Sequence, residues 1–239
     1  FNTDELGTFC GEVPRNGTPK EVAKLKADKA IELLQTPYGI GSEGSFGPHP
    51  FVPFITGALE TLVFVDKNRH FEIVETQLSS RTTFSYYITK GSDYLDAFLT
   101  QARFPSHALI VRPNVWDEKD IIFKGVQSFE DLKNYISLCC SKSADQSALL
   151  QTDMRAHLNP TRQYELVKAG IRLFRRLSRK CPFCDSPGWG IIGQKKGKLC
   201  SACHFPTRLP THWIWGCVVC SLTSEKERHD FTYCHNCNP

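Results

Sequence analysis

Eight of the eleven cysteines fall into four Cys-x-x-Cys pairs: Cys181/Cys184, Cys200/Cys203, Cys217/Cys220 and Cys234/Cys237. A Cys-x-x-Cys turn aims two thiolates at one point, and two such turns close a tetrahedral shell. Four pairs between Cys181 and Cys237 therefore predict two metal sites. Zn2+ is expected ahead of a rubredoxin-like iron. A disulfide framework would need an oxidising compartment, and no signal-peptide pattern is visible. The spacings C-x2-C-x15-C-x2-C and C-x2-C-x13-C-x2-C favour two sequential ribbons over cross-braced pairing, because each half holds a hairpin-sized loop between its own knuckles. Four thiolates leave no open coordination position, so the zincs read as structural. His204, His212, His229 and His235 lie nearby but are not needed as ligands.

Two polar segments carry other candidate chemistry. The first is SEGSFGPHP (42–50). Its prolines and glycines exclude a helix and the interior of a central strand, and it reads as a rigid loop leaving a strand end. Glu43 and His49 are its candidate catalytic groups, and Ser42, Gly44 and Ser45 its candidate substrate contacts. Glu21, on a preceding helix, is placed to share a Mg2+ with Glu43 while loop amides receive a phosphate. The second segment, TDMRAHLNPTR (152–162), gathers a carboxylate, an imidazole, an amide and two guanidinium groups. Asp153 and His157 suit acid–base work, and Arg155, Asn159 and Arg162 suit recognition of a phosphate or carboxylate. The alternative for this second segment is a set of polar ties at a domain junction.

These residues need elements to hold them. TPKEVAKLKADKAIELL, from Thr18, has a cap-and-proline start and helical periodicity. Tyr38–Ser42 is a short strand candidate, and LETLVFVD (59–66) with FEIVETQL (71–78) reads as an antiparallel hairpin across KNRH. A helix near 91–103, strands at 107–113 and 121–124, and a helix at 128–139 follow. Asn159 caps a long helix with Pro160 in its first turn. Leu166, Val167, Ile171, Phe174 and Leu177 form its apolar stripe, and Lys168, Arg172, Arg175, Arg176 and Arg179 a basic one. The expected architecture is an α/β or α+β mixed-sheet domain (1–159), a basic amphipathic helix (160–180) and a small double zinc-ribbon domain (181–239).

Charge divides the chain at the same place. Residues 1–159 carry 16 Lys+Arg against 20 Asp+Glu, and residues 160–239 carry 13 against 5, for an overall +4. A basic stripe beside zinc knuckles suits nucleic-acid phosphates. The solvated-face reading of those cations competes with it. Trp189, Trp213 and Trp215 suit base stacking or the ribbon's own core. No apolar run is long enough for a membrane span, and a cytoplasmic location is expected.

The chain resembles an uncharacterised bacterial family, a domain of unknown function. The resemblance rests on DELGTF (4–9), SEGSFGPHP (42–50), FPSHALIVRP (104–113), TDMRAHLNPTR (152–162) and the cysteine-rich end closing in CNP. It implies a further strand–helix–strand segment ahead of Phe1, and an asparagine where this chain has Thr83. It implies no activity. TPKEVAKLKADKA followed by GIGSEG is also similar to the helix and acidic strand end of house-cleaning nucleoside triphosphate pyrophosphatases. That similarity implies Mg2+ at Glu21 and Glu43, with Lys29 near phosphate.

Two functions follow as expectations. One is a Mg2+-dependent phosphohydrolase acting on a nucleotide or nucleic acid through Glu43, His49, Asp153 and His157. The other is a non-enzymatic module that binds nucleic acid or protein through its zinc ribbons and basic helix.

Overall fold

The computed structural model describes residues 5, 7–8, 12–91, 94–115, 121–229, 234 and 237. Asp4, Leu6 and Phe9 of the DELGTF motif, Cys10 and His235 lie outside them. The fold is α+β, with four α-helices and ten strands in three sheets among the described residues. Compactness divides the chain into two units, 1–64 with 74–170 and 65–73 with 171–239, so the division falls inside the last helix. No helix among the described residues is long and apolar enough to cross a membrane.

In the first unit, helix α1 (Pro19–Leu34) starts at a capping box. Thr18 Oγ1 accepts from the Glu21 amide, and Glu21 Oε2 accepts from the Thr18 amide at 2.7 Å. Strands β1 (Tyr38–His49), β2 (Val52–Asp66) and β3 (Phe71–Ser79) form a sheet in that order, joined by short turns. A second sheet has the order β4 (Tyr86–Thr89), β7 (Ala148–Thr152), β5 (Leu109–Pro113), β6 (Phe123–Val126). Its strand pairs are all antiparallel, so the mixed sheet expected from sequence is not formed here. Helices α2 (Asp96–Ala102) and α3 (Phe129–Lys142) flank this sheet. The main core includes Phe98, Leu109, Val111, Leu132, Ile136 and Leu150.

The predicted loop at 42–50 is strand. β1 continues through Pro48 to His49, and the chain turns only at Pro50 and Phe51. Proline is tolerated there because β1 is an edge strand, paired with β2 alone.

Helix α4 (Pro160–Leu177) begins where expected, with Asn159 Oδ1 accepting from the Arg162 amide at 3.0 Å. Its buried face differs from the one expected. Val167, Ile171 and Phe174 are 59%, 46% and 69% exposed, whereas Arg162, Glu165, Ala169, Leu173 and Arg176 are buried. Those five recur at helical spacing, so the packed face is a mixed polar stripe whose charges find partners. Arg176, assigned to the exposed basic stripe by its sequence position, instead donates from Nε to the Gly188 carbonyl at 3.2 Å.

In the second unit, β8 (Gly190–Lys196), β9 (Pro210–Gly216) and β10 (Thr223–Glu227) form an antiparallel meander in the order β10-β9-β8. Val65, Phe71 and Ile73, from the β2–β3 hairpin end, are buried in this unit.

Candidate functional site

The acidic strand is built for close helix packing. A Cβ on Gly39 would lie 2.4 Å from the Ala27 carbonyl oxygen, and one on Gly41 would lie 1.8 Å from that of Ala23. Two glycines two apart on β1 thus meet two alanines four apart on α1, with backbone nearly against backbone. The next residue on that face is Glu43, which is 7% exposed. Lys26 of the same helix donates to its Oε2 at 2.6 Å, and Arg15 lies 3.5 Å from Oε1. The helix that a Mg2+ reading required for its second acid supplies a lysine instead.

Glu21 is engaged in the capping box, where those hydrogen bonds lower its pKa. Lys29 pairs with Glu32 at 2.8 Å. His49 is six residues from Glu43 along an extended strand, about 20 Å away, and its Nδ1 accepts from the Phe51 amide at 3.3 Å in the hairpin turn. Ser42 is half-buried and alternates to the sheet face opposite Glu43. Ser45 and Glu43 line a cavity of about 260 Å³ with Arg15, Phe46 and Phe84. Gly44 lines it too, and a Cβ there would come within 2.7 Å of Arg162 Nη2, so this glycine makes room for a buried arginine.

The second polar segment is a buried knot. Asp153 is 0% exposed; Arg155 grips its carboxylate through Nε and Nη2 (2.6 Å for the shortest contact), and the Gly125 amide donates to Oδ2 at 3.1 Å. Asn159, also 0% exposed, donates to Thr83 Oγ1 at 3.1 Å and to the Asp153 carbonyl at 3.2 Å while capping α4. The hydroxyl of Thr83 thus fills the acceptor role at a position where the family resemblance implies asparagine. Arg162 forks onto Glu60 at 2.7 and 3.1 Å, reaches the Met154 carbonyl, and lies 5.4 Å over the Phe46 ring. His157 is exposed on a single 3-10 turn (Ala156–Leu158), and no hydrogen bond of Asp153 reaches it.

Three groups in these networks were missed by sequence reasoning: Lys26, Glu60 and His107. Glu60 carried a signal, because it occupies an inward position of an alternating strand between Ala58 and Leu62, where a carboxylate demands a partner. His107 is 3% exposed and accepts at Nε2 from the Thr161 amide at 3.1 Å, with Ser106 Oγ 3.0 Å from Nδ1. Burial, then the Arg103 charge, lowers its pKa.

The cysteine clusters are the remaining candidate. Their ligand atoms gather as Cys181, Cys184, Cys217 and Cys220 in one group and Cys200, Cys203, Cys234 and Cys237 in the other, all within 4.8 Å inside each group. This interleaved pairing corrects the sequential ribbons expected from loop length. The meander explains it. Gly190 and Thr223 both lie opposite Gly216, so the first and third knuckles share one end of the sheet. Lys196 lies opposite Pro210 and Glu227 opposite His212, which puts the second and fourth at the other end. Sequential pairing would have to join the two ends of β8.

The thiols fit a metal. Cys181 and Cys184 sulfurs lie 3.6 Å from those of Cys220 and Cys217, and Cys203 lies 3.5 Å from Cys234. A tetrahedron with metal–sulfur bonds of about 2.3 Å has edges of about 3.8 Å. Amides already point at the sulfurs, as with Val219 onto Cys217 at 3.3 Å and Cys234 onto Cys200 at 3.4 Å. Hydrogen bonds from Ser186 hold Cys184 down to about 6, and the Cys203 and Cys234 amides hold Cys200 down to about 6. In the same clusters Cys220 and Cys237 are shifted the other way, Cys237 chiefly by hydrogen bonds with the neighbouring Cys203 and Cys234 sulfurs, so a metal would displace protons on binding.

The sheet between the clusters has two unlike faces. Trp213 and Trp215 alternate onto one, with the Trp189 ring 6.5 Å from that of Trp215. Cations sit on these rings: Arg179 at 5.1 Å and Lys226 at 5.0 Å over Trp215, and Arg228 at 5.6 Å over Trp213. Glu225 and Glu227 fall opposite Ile214 and His212, on the other face, where Lys195 pairs with Glu225 at 2.8 Å.

The chain belongs to the family described as a domain of unknown function, DUF6671, which matches residues 26–239. The match takes in β1, the 152–162 knot and all four cysteine pairs, and begins after Glu21. No curated protein and no solved structure matches the chain.

Proposed function

We propose that the C-terminal unit is a zinc-held binding module for single-stranded nucleic acid, with no catalytic role for Glu43 or Asp153. The observation that carries this reading is the tryptophan face: indoles on one side of β9, three cations within stacking distance of them, and Glu225 and Glu227 on the opposite side. Single-stranded nucleic acid is held by alternating ring stacking and phosphate neutralisation, and this face supplies both. Zn2+ is the metal suited to the eight thiolates, and its role is to fix the sheet ends. The hydrolase reading loses its support because its acids are already matched: Glu43 by Lys26 and Arg15, Glu21 by the helix cap, and Asp153 by Arg155.

The test is titration of the full chain with a fluorescent uridine or thymidine oligonucleotide at two salt concentrations. Trp215→Ala removes one stacking platform and should weaken binding on the order of tenfold. Lys226→Glu should weaken binding comparably and flatten its salt dependence. Lys195→Glu, on the other face, should change affinity little. A bound-metal count on each variant verifies that the unit is folded. Absence of binding, or equal loss in Lys195→Glu, overturns the proposal.

A further inference from the structure

Helix α3 divides its apolar residues between two surroundings. Leu132, Ile136 and Cys139 are buried, whereas Phe129 is 61% exposed although its ring packs edge-on against Phe104 at 4.9 Å. Beside Phe129 lies a cavity of about 540 Å³ in the first unit. Its walls come from three elements. α3 contributes Phe129, Lys133, Ile136 and Cys140, spaced along one side of the helix. Leu95 and Leu99 close it from α2, and the chain leaving β4 passes along its edge. The volume falls within the range of small-molecule sites, roughly 300–1,000 Å³.

The lining is chemically one-sided. Its hydrocarbon comes from leucine, isoleucine and phenylalanine, and its charged lining residues, Lys90 and Lys133, are both cationic. Among the described residues no carboxylate lines it. Ser137, one turn beyond Lys133, adds a hydroxyl. The Cys140 thiol donates to the Thr89 carbonyl at 3.6 Å. An apolar wall beside the Lys133 ammonium selects a molecule with a hydrocarbon or aryl body and one negative end.

We propose that this cavity binds an amphipathic carboxylate, an acyl or aryl acid. Its body lies against Leu95, Leu99, Phe129 and Ile136, and its carboxylate accepts from the Lys133 ammonium. The site shares no residue with the tryptophan face.

The probe is decanoate, with decanol as the uncharged body of the same length. Each is titrated into the full chain, and backbone amide shifts are followed by NMR alongside calorimetry. Decanoate should shift the amides of 95–99 and 129–140 in a saturable manner. Decanol should bind about tenfold more weakly, the loss expected for one charge-assisted hydrogen bond, and Lys133→Glu should weaken decanoate comparably. Leu99→Trp, which fills the cavity, should abolish saturable shifts while leaving thermal stability near that of the parent. Decanoate binding that shifts amides elsewhere, decanol binding equal to decanoate, or indifference to Lys133→Glu would each overturn the proposal. So would the absence of decanoate binding.

Discussion

The two units use the same side chains in opposite ways. In the first, Arg162 is 8% exposed and forks onto a carboxylate that is 1% exposed, while Arg155 grips Asp153. In the second, Arg179, Lys226 and Arg228 lie over half-buried tryptophan rings, and the strand acids Glu225 and Glu227 fall on the opposite face. A guanidinium group held by a fixed acid is a structural tie, because breaking it leaves a buried charge unmatched. A guanidinium group resting on a ring presents a delocalised charge and planar donor geometry suited to a phosphate. The difference between them is what surrounds the charge. The units also differ in what holds them. The first has a continuous apolar core, and the second has small strands pinned at both ends by thiolate clusters.

That contrast can be sharpened most strongly at the metal sites. Cys181→Ser with Cys220→Ser removes two ligands of one interleaved cluster. Total bound metal, measured by chelator-release spectrophotometry, should fall from about two to about one per chain, each site being worth on the order of 10 kcal/mol of folding energy. Sequential pairing would instead place one loss in each shell, and both metals would go. Chelation of the parent should melt the second unit and leave the first unit's helical signal intact.

The next effect lies in the buried pair. Arg162→Met or Glu60→Met alone should cost about 3–5 kcal/mol in urea denaturation, since each strands its partner's charge. The double substitution should recover much of that loss. Additive costs would mean the pair is not the tie that the geometry describes.

The smallest effect concerns pH. His107 is held neutral in the fold by burial, with its Nε2 accepting from an amide, so its folded pKa lies below the unfolded value of about 6.5. The unfolded chain then binds the proton more readily. Its stabilising contribution is present above that unfolded value and is lost as pH falls through the folded pKa. Between pH 7.5 and pH 5.5 the parent's denaturation midpoint should drop more than that of His107→Gln. Equal slopes would place the titrating group elsewhere.

Much of the architecture was legible in the sequence. The capped, proline-led start of α1 at Thr18, the β2–β3 hairpin across Lys67–His70 and the Asn159-Pro160 start of α4 rest on local spacing and appear as read. Glycine and proline at 44–50 misled, because a glycine demanded by a close-packed neighbour looks the same in sequence as one demanded by a turn. α4 misled in another way. Its most apolar stripe is exposed and its packed stripe contains three charges, since hydropathy cannot register that Arg162 has Glu60 waiting across the fold.

The sequence by itself determined that eight cysteines form two tetrathiolate clusters, that a basic helix leads into them, and where most regular elements lie. These follow from short-range spacing, which the chain carries wherever it goes. Only the tertiary structure decided which knuckles pair, because an antiparallel meander brings alternate turns to the same end of a sheet. It alone decided which partners Glu43, Asp153 and Arg162 meet, because a charge's surroundings depend on the partner and the burial that distant segments supply.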